Sequence, residues 1–471
     1  MFQVKTNYDT IIIGAGIGGL VCGCYLAKAG MKVLMCEQHN KPGGYCSSFE
    51  RHGFIFDTAA HCFGGYRKGG MTRKIFEDLE IDKKIKITRA DPLAIIITPD
   101  YKVSFRTDLD EIIKNLQTTF PDESNNIRNF FYFLTNPDHA SFARIRSWTL
   151  KDLLDQHFSN YKLKAILASP LFGIRGLPPS LLSAFVGTKL FSEFFIDGGY
   201  FPENGFMQEI PDALAEKFKE FGGELRLSSP VKKIRAKDNK ATGIILEDGG
   251  FIQSKYVISN CDARQTFLKL LGREKLNTEF YDRLKNMIPS ISYFILHLGM
   301  DRCFDTRLSP VTSIGFFKHY DLETAYHAAQ RCDINGFGGH LICLSHDKSS
   351  ILALIPMAYK SKRYWDKNKD KFSESLIEQI ERYTIPNLSK HIIYKEAATP
   401  HTLYKTTLNY KGAGLGWACI PSQLVISDFK KPFFIDGLYL TGHWTTLGAG
   451  ISGTAYAGYD TAKIILKKTK P

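Results

Sequence analysis

Three glycines and one acid pose the first chemical question. In "YDTIIIGAGIGGLVCGCYLAKAG" (residues 8–30), Gly14, Gly16 and Gly19 follow a β-branched apolar run directly, and Glu37 stands eighteen residues beyond Gly19. That spacing suits recognition of a dinucleotide. Gly14 permits a tight turn, Gly16 lets the backbone approach a pyrophosphate, and Gly19 lets the next helix pack closely on the strand. The pyrophosphate would sit on free N–H groups at the positive end of that helix, with Gly18 in the same turn. A carboxylate at Glu37 can accept hydrogen bonds from ribose hydroxyls. Glycines alone are weak evidence, but strand, glycines, helix, strand and acid in this order are strong.

The elements needed to hold these residues are legible. Residues 10–13 read as a buried parallel strand, Gly30 as a helix stop, and residues 31–36 as a second strand. A related pattern recurs in "GLYLTGHWTTLGAGISGTAYAGYDTAKIIL" (437–466), again strand, glycine-rich turn and helix. No second strand ending in an acid follows it. It is therefore expected to close one composite site rather than to form a second.

The segment "KPGGYCSSFERHGFIFDTAAHCFGG" (41–65) sharpens the reading. It resembles the glycine-glycine segment of FAD enzymes of the phytoene desaturase, carotenoid isomerase and retinol saturase superfamily. The likeness is strongest to the isomerase and saturase branch. Desaturases of the superfamily more often carry Arg where this chain has Tyr45. Gly43 and Gly44 would give a second close approach of backbone to cofactor. Asp57 and His61 follow a strand that would return toward the flavin ring. Asp57 is either a cofactor contact or a turn carboxylate, and His61 either a catalytic acid or base or a structural histidine.

The same resemblance extends through the chain. "GGYFPENGFMQEIPDALAEKFKEFGGELRLSSPVKKI" (198–234) is similar to the segment that re-enters the FAD domain, with Val231 where the backbone meets the adenine. It departs from the usual Gly-Gly at Asn204-Gly205. The C-terminal segment resembles the one that sets a helix N-terminus against the isoalloxazine, which implies contacts from Gly442, His443, Gly448, Gly450 and Ile451. Helix N–H groups there would stabilise negative charge on a reduced flavin. Tyr404, Tyr410 and Trp417 are plausible walls of the substrate cavity, and aromatic core packing is the competing role. In "LPPSLLSAFVGTKLFSEFF" (177–195), Leu181, Phe185, Val186 and Leu190 form a wide apolar helix face starting after Pro178-Pro179. That face is core, substrate lining or a membrane-dipping surface.

The expected fold class is α/β: a discontinuous Rossmann-like FAD-binding domain with a parallel sheet, and an inserted mixed α+β substrate domain. Residues 1–70, 205–268 and 430–471 would build the first, and 71–204 and 269–429 the second.

Composition narrows the classes. The 471 residues, 44% hydrophobic, can bury two or three domains. The 61 Lys+Arg against 48 Asp+Glu give a net charge of +13, which permits association with an anionic membrane surface. No nucleic-acid module is present. The ten cysteines show no disulfide framework or metal spacing, which fits a cytoplasmic protein without a metal, able to lie on a membrane surface. No apolar run is long enough to span a bilayer.

These readings converge on hydride transfer between FAD and an apolar isoprenoid or polyene-like lipid, by desaturation, saturation or redox-neutral isomerisation. With no second dinucleotide fingerprint and no redox cysteine pair, electrons are expected to pass to quinone, oxygen or an external reductant. A flavin amine oxidase and a non-catalytic, membrane-recruited flavoprotein are the alternatives.

Overall fold

Two seven-stranded sheets organise the chain in the computed structural model, which describes residues 8–136, 143–304, 313–445 and 450–469. The first sheet is built around Tyr8–Ile13. That strand pairs in parallel with Val33–Cys36 on one side and with the end of Phe251–Ser259 on the other. Glu224–Arg226 and Leu438–Leu440 extend the parallel set. Val231–Lys237 and Lys240–Leu246 add an antiparallel flap to the first half of Phe251–Ser259. Ile11, Ile12, Val257 and Ile258 are fully buried, as parallel strands covered on both faces require.

The helices Ile17–Lys28, Glu209–Glu220 and Ile451–Thr469 pack on this sheet. The first and last cross with almost no separation. A Cβ on Gly458 would stand 2.4 Å from the Gly18 carbonyl oxygen, so glycine is what lets the chain's two ends meet.

The second sheet runs in the order Ile392–Ala398, Ser292–Met300, Ser350–Met357, Gly339–Leu344, Ser313–Phe317, Ala94–Ile97, Lys102–Phe105. Its pairs are antiparallel except Ala94–Ile97 with Ser313–Phe317. Every residue of Ser292–Met300 and Ser350–Met357 is buried, which places this sheet inside its own large core. The fold is therefore α/β, a discontinuous dinucleotide-type sheet beside a mixed α+β unit.

Two local details bear on the site. The helix Tyr161–Arg175 contains Pro170, whose missing N–H would otherwise have bonded the Ile166 carbonyl. The Ser169 hydroxyl donates to that carbonyl instead, at 3.0 Å. The helix expected after Pro178-Pro179 begins later, at Ala184. The Leu181 and Leu182 amides turn back onto the Pro178 carbonyl, and Ser183 caps the helix. Val186 and Leu190 on it are buried in the core, Phe185 is half-buried, and Leu181 ahead of it is exposed. Among the described residues, no helix is long and apolar enough to cross a membrane.

Candidate functional site

One continuous cavity of about 1020 Å³ runs from the first glycine turn to the second sheet. Gly14, Gly16, Glu37, Gly43, Gly44, His61, Val231, His443, Gly450 and Ile451 all line it. This size is at the upper end for small-molecule sites, as a dinucleotide plus a second ligand would need.

The turn is built without side chains. Gly14 has φ +95 and its amide donates to the Cys36 carbonyl at 2.8 Å. The Gly43 amide donates to Ala15 O at 2.9 Å, which lays the glycine-glycine segment against the first turn. A Cβ on Gly44 would lie 3.8 Å from the Gly16 Cα, so both walls of this cradle are bare backbone. The buried Glu37 carboxylate accepts from Ala15 N at 2.7 Å through Oε2 and from His39 N at 3.0 Å through Oε1. Each oxygen keeps a lone pair for a ribose hydroxyl. Cradle and carboxylate together fit the diphosphate and ribose of a flavin dinucleotide.

Gly18, Gly19 and Gly442 do not line the cavity. A Cβ on Gly19 would stand 2.3 Å from Gly14 O, and one on Gly18 2.8 Å from the Gly442 Cα. Their lack of a side chain lets the helix and strands pack closely beneath the turn. The residue joining these glycines is Asn260, at the end of Phe251–Ser259. Its Nδ2 donates to Gly14 O at 3.3 Å, and a Cβ on Gly442 would meet its Oδ1 at 2.3 Å. Sequence reasoning missed Asn260. The available signal was a polar residue closing an apolar strand at the carboxyl edge of a parallel sheet.

The cavity's middle carries three histidines. His61 Nε2 lies 2.9 Å from the Ser313 hydroxyl of the second sheet. Burial lowers its pKa, which favours the neutral ring. His443 Nε2 faces Asn409 Oδ1 at 3.4 Å, and burial takes its pKa down to about 4. Tyr45 stands 6.1 Å from the His443 ring, its hydroxyl donating to Ala413 O at 3.1 Å. Asn409 also accepts from the Trp444 indole at 2.9 Å. The third ring, His297, donates from Nε2 to Asp57 O at 3.0 Å, and burial brings its pKa to about 4.

Asp57 does not line the main cavity. Its Oδ1 accepts from the Ser48 hydroxyl at 2.6 Å and from Met207 N at 3.0 Å, so it clasps two backbone segments rather than contacting a cofactor in this cavity. Gly448 and its neighbour Ala449 lie outside the described residues.

Beyond His61 the walls turn apolar, with Ile96, Pro170, Phe195, Ile295, Leu341 and Leu354 from the second sheet and its helices. The three aromatics expected as walls are elsewhere. Trp417 is buried, donating to Trp444 O at 3.0 Å and stacked edge-on against that ring at 4.7 Å. Tyr410 lies at the surface under the Arg264 guanidinium, 4.3 Å from its ring centre. Tyr404 packs edge-on against Tyr359 at 5.8 Å. Packing with aromatic or cationic neighbours, not lining, accounts for all three. Among the described residues, no group of His, Cys, Asp or Glu converges to hold a metal, and the ten cysteines are free thiols.

The chain is 26% identical to prolycopene isomerase 2 of an Oncidium hybrid cultivar, across 96% of this chain and 82% of that one. It is 27% identical to all-trans-retinol 13,14-reductase of Rattus norvegicus, across 99% and 87%. An oxidoreductase structure from Methanosarcina mazei superposes with a TM-score of 0.66 at 16% identity, covering 97% of this chain and all of that one. These sequence relatives fall in the phytoene desaturase, carotenoid isomerase and retinol saturase superfamily that residues 41–65 resemble, and a flavin is the cofactor. With residues 17–466 matched by their model, the chain belongs to the flavin-containing amine oxidoreductases.

Proposed function

We propose that this protein is a FAD-dependent oxidoreductase acting on an apolar isoprenoid or polyene. The observation that carries the reading is the continuity of the cavity, from a bare-backbone dinucleotide cradle past His61 into an apolar arm. Gly14, Gly16, Gly43 and Gly44 would hold the diphosphate, Glu37 a ribose, and the Val231 backbone the adenine. Bound there, the flavin supplies hydride exchange with an allylic carbon. The residues of the chain then orient the substrate, exclude water and move the accompanying proton, with His61 as the acid or base at the junction. The names of the relatives, an isomerase of prolycopene and a reductase of retinol, support a polyene over an amine.

The electron partner in this reading is a quinone, oxygen or an external reductant. The protein is cytoplasmic and lies peripherally on a membrane, a placement supported by the net charge of +13 and by a lipid substrate. The test is product analysis. Holoprotein incubated with solubilised polyenes should change their double-bond number or geometry, while amines should yield no aldehyde. Aldehyde from amines with polyenes untouched would transfer the protein to the amine oxidases.

A further inference from the structure

Three side chains from distant parts of the sequence meet on one wall of the main cavity. Tyr45 follows the glycine-glycine pair, Asn409 stands just before the turn Tyr410–Gly412, and His443 lies just past the strand Leu438–Leu440. Asn409 is fixed through the backbone. Its carbonyl accepts from Gly412 N at 2.8 Å, and the adjoining Tyr410 N donates to the buried Asp262 carboxyl at 2.8 Å.

The Trp444 indole decides which way the Asn409 amide is turned. An indole N–H only donates, and this one meets Asn409 Oδ1 at 2.9 Å, so the oxygen must stand there. The amide nitrogen is then left for the Tyr45 hydroxyl, toward which Asn409 acts as a hydrogen-bond donor while that hydroxyl donates to Ala413 O at 3.1 Å. His443 Nε2 faces the same Oδ1 at 3.4 Å. Two bare acceptors so close would repel, which puts the ring proton on Nε2. Burial keeps the ring neutral by taking its pKa down to about 4, and Nδ1 is therefore a lone-pair acceptor. Nδ1 has no hydrogen-bond partner among the described residues. Unlike the Nδ1 atoms of His61 and His297 it is not sealed in, and the ring lines the cavity, edge-on to Trp444 at 5.4 Å.

We propose that Asn409 is a positioning residue, setting the His443 tautomer so that Nδ1 accepts a hydrogen bond from the bound flavin dinucleotide. The assignment rests on reading the main cavity as the flavin site. A flavin dinucleotide carries hydroxyls on its polyol chain and an N–H on its ring, and either suits a neutral acceptor. An imidazolium would offer these groups only further donors, and the opposite tautomer would turn an N–H toward them. Asn409 thus acts through the ring, and one side chain sets the polarity that the closing segment presents to the cofactor.

The test is ¹⁵N NMR of the histidine rings in the holoprotein, with His443→Gln used to assign the signals. The wild type should show a proton on His443 Nε2 and an unprotonated Nδ1 shifted into the hydrogen-bonded range. Trp444→Phe removes the indole donor and spares the Asn409–His443 pair, so it should keep this tautomer and hold FAD affinity within about twofold. Adding Asn409→Leu to Trp444→Phe strands no indole N–H. That double variant should mix the two tautomers and weaken FAD binding about tenfold, read by flavin fluorescence quenching on the full chain. A proton on Nδ1 in the wild type would overturn the proposal, as would equal FAD affinity in the single and double variants. If the double variant does not fold, the wild-type spectrum decides alone. A wild type that binds no flavin would overturn the cofactor reading and this proposal with it, whereas the other outcomes bear on Asn409 alone.

Discussion

The Asn260 amide nitrogen lies 3.3 Å from the Gly14 carbonyl oxygen, across 246 residues of chain. This bond ties the end of Phe251–Ser259, the strand that pairs with Leu438–Leu440, to the first glycine turn, and Gly442 packs against the same side chain. Both ends of the polypeptide are thus referenced to one residue.

Asn260→Leu should loosen that junction. Gly14, Gly16 and Gly442 all approach the asparagine closely, and a branched apolar side chain cannot make its hydrogen bond. We expect a loss of about 1–3 kcal/mol in stability and a fall in bound flavin, read from urea midpoints and the flavin-to-protein absorbance ratio. Full flavin content with unchanged stability would show that the junction does not depend on this side chain.

Glu37 is held by Ala15 N and His39 N before any ligand arrives. Glu37→Ala strands a buried amide and should cost about 1–3 kcal/mol while weakening flavin binding. Glu37→Gln keeps one oxygen acceptor and should fall between the two. Equal flavin affinity in all three proteins would remove the carboxylate from cofactor recognition.

His61→Ala should keep its flavin, because the cradle lies elsewhere, yet lose about 100-fold or more in turnover, the usual worth of a positioned acid or base. Stopped-flow flavin absorbance would separate the two effects. Full turnover with normal flavin content would end the proposed role.

Gly173 marks the apolar arm. A Cβ there would meet only Leu341 Cδ2, at 3.8 Å, so a larger side chain projects into free space of the cavity. Gly173→Leu should leave the flavin spectrum alone and raise KM for a long polyene about tenfold, equivalent to about 1.4 kcal/mol. An unaffected KM would place the substrate elsewhere.

Asp57 predicts a pH dependence of stability. Its carboxyl is raised from 3.8 to about 7 by burial. The folded state therefore holds the proton more tightly than the unfolded chain. The resulting stability is fully present below pH ~4 and is lost as pH rises through about 7, by up to about 4 kcal/mol. Urea midpoints at pH 5 and pH 8 should show this slope in the wild type and a shallower one in Asp57→Asn. Identical slopes would contradict it.

What was legible in the sequence followed from locality. Gly14, Gly16, Gly43 and Glu37 act through backbone conformation or an adjacent strand end, so their spacing carries their meaning. Asn260 and Asn409 act on residues 246 and 35 positions away, and nothing beside them in the chain announces it. Tyr404, Tyr410 and Trp417 could be read in sequence either as walls or as packing, because an aromatic side chain packs equally well against core, cation or ligand. The second sheet was hidden for a related reason. Ala94–Ile97 pairs with Ser313–Phe317, and no periodicity within either strand names its partner.

The most direct test of the central claim is anaerobic absorbance spectroscopy of the holoprotein, mixed with polyenes of graded saturation and separately with amines. The account predicts that a polyene either bleaches the oxidised flavin or reoxidises the dithionite-reduced form. An isomerised polyene recovered beside an unchanged flavin would also satisfy it. Bleaching by amines alone, or a flavin indifferent to every polyene with no change in the polyene itself, would contradict it.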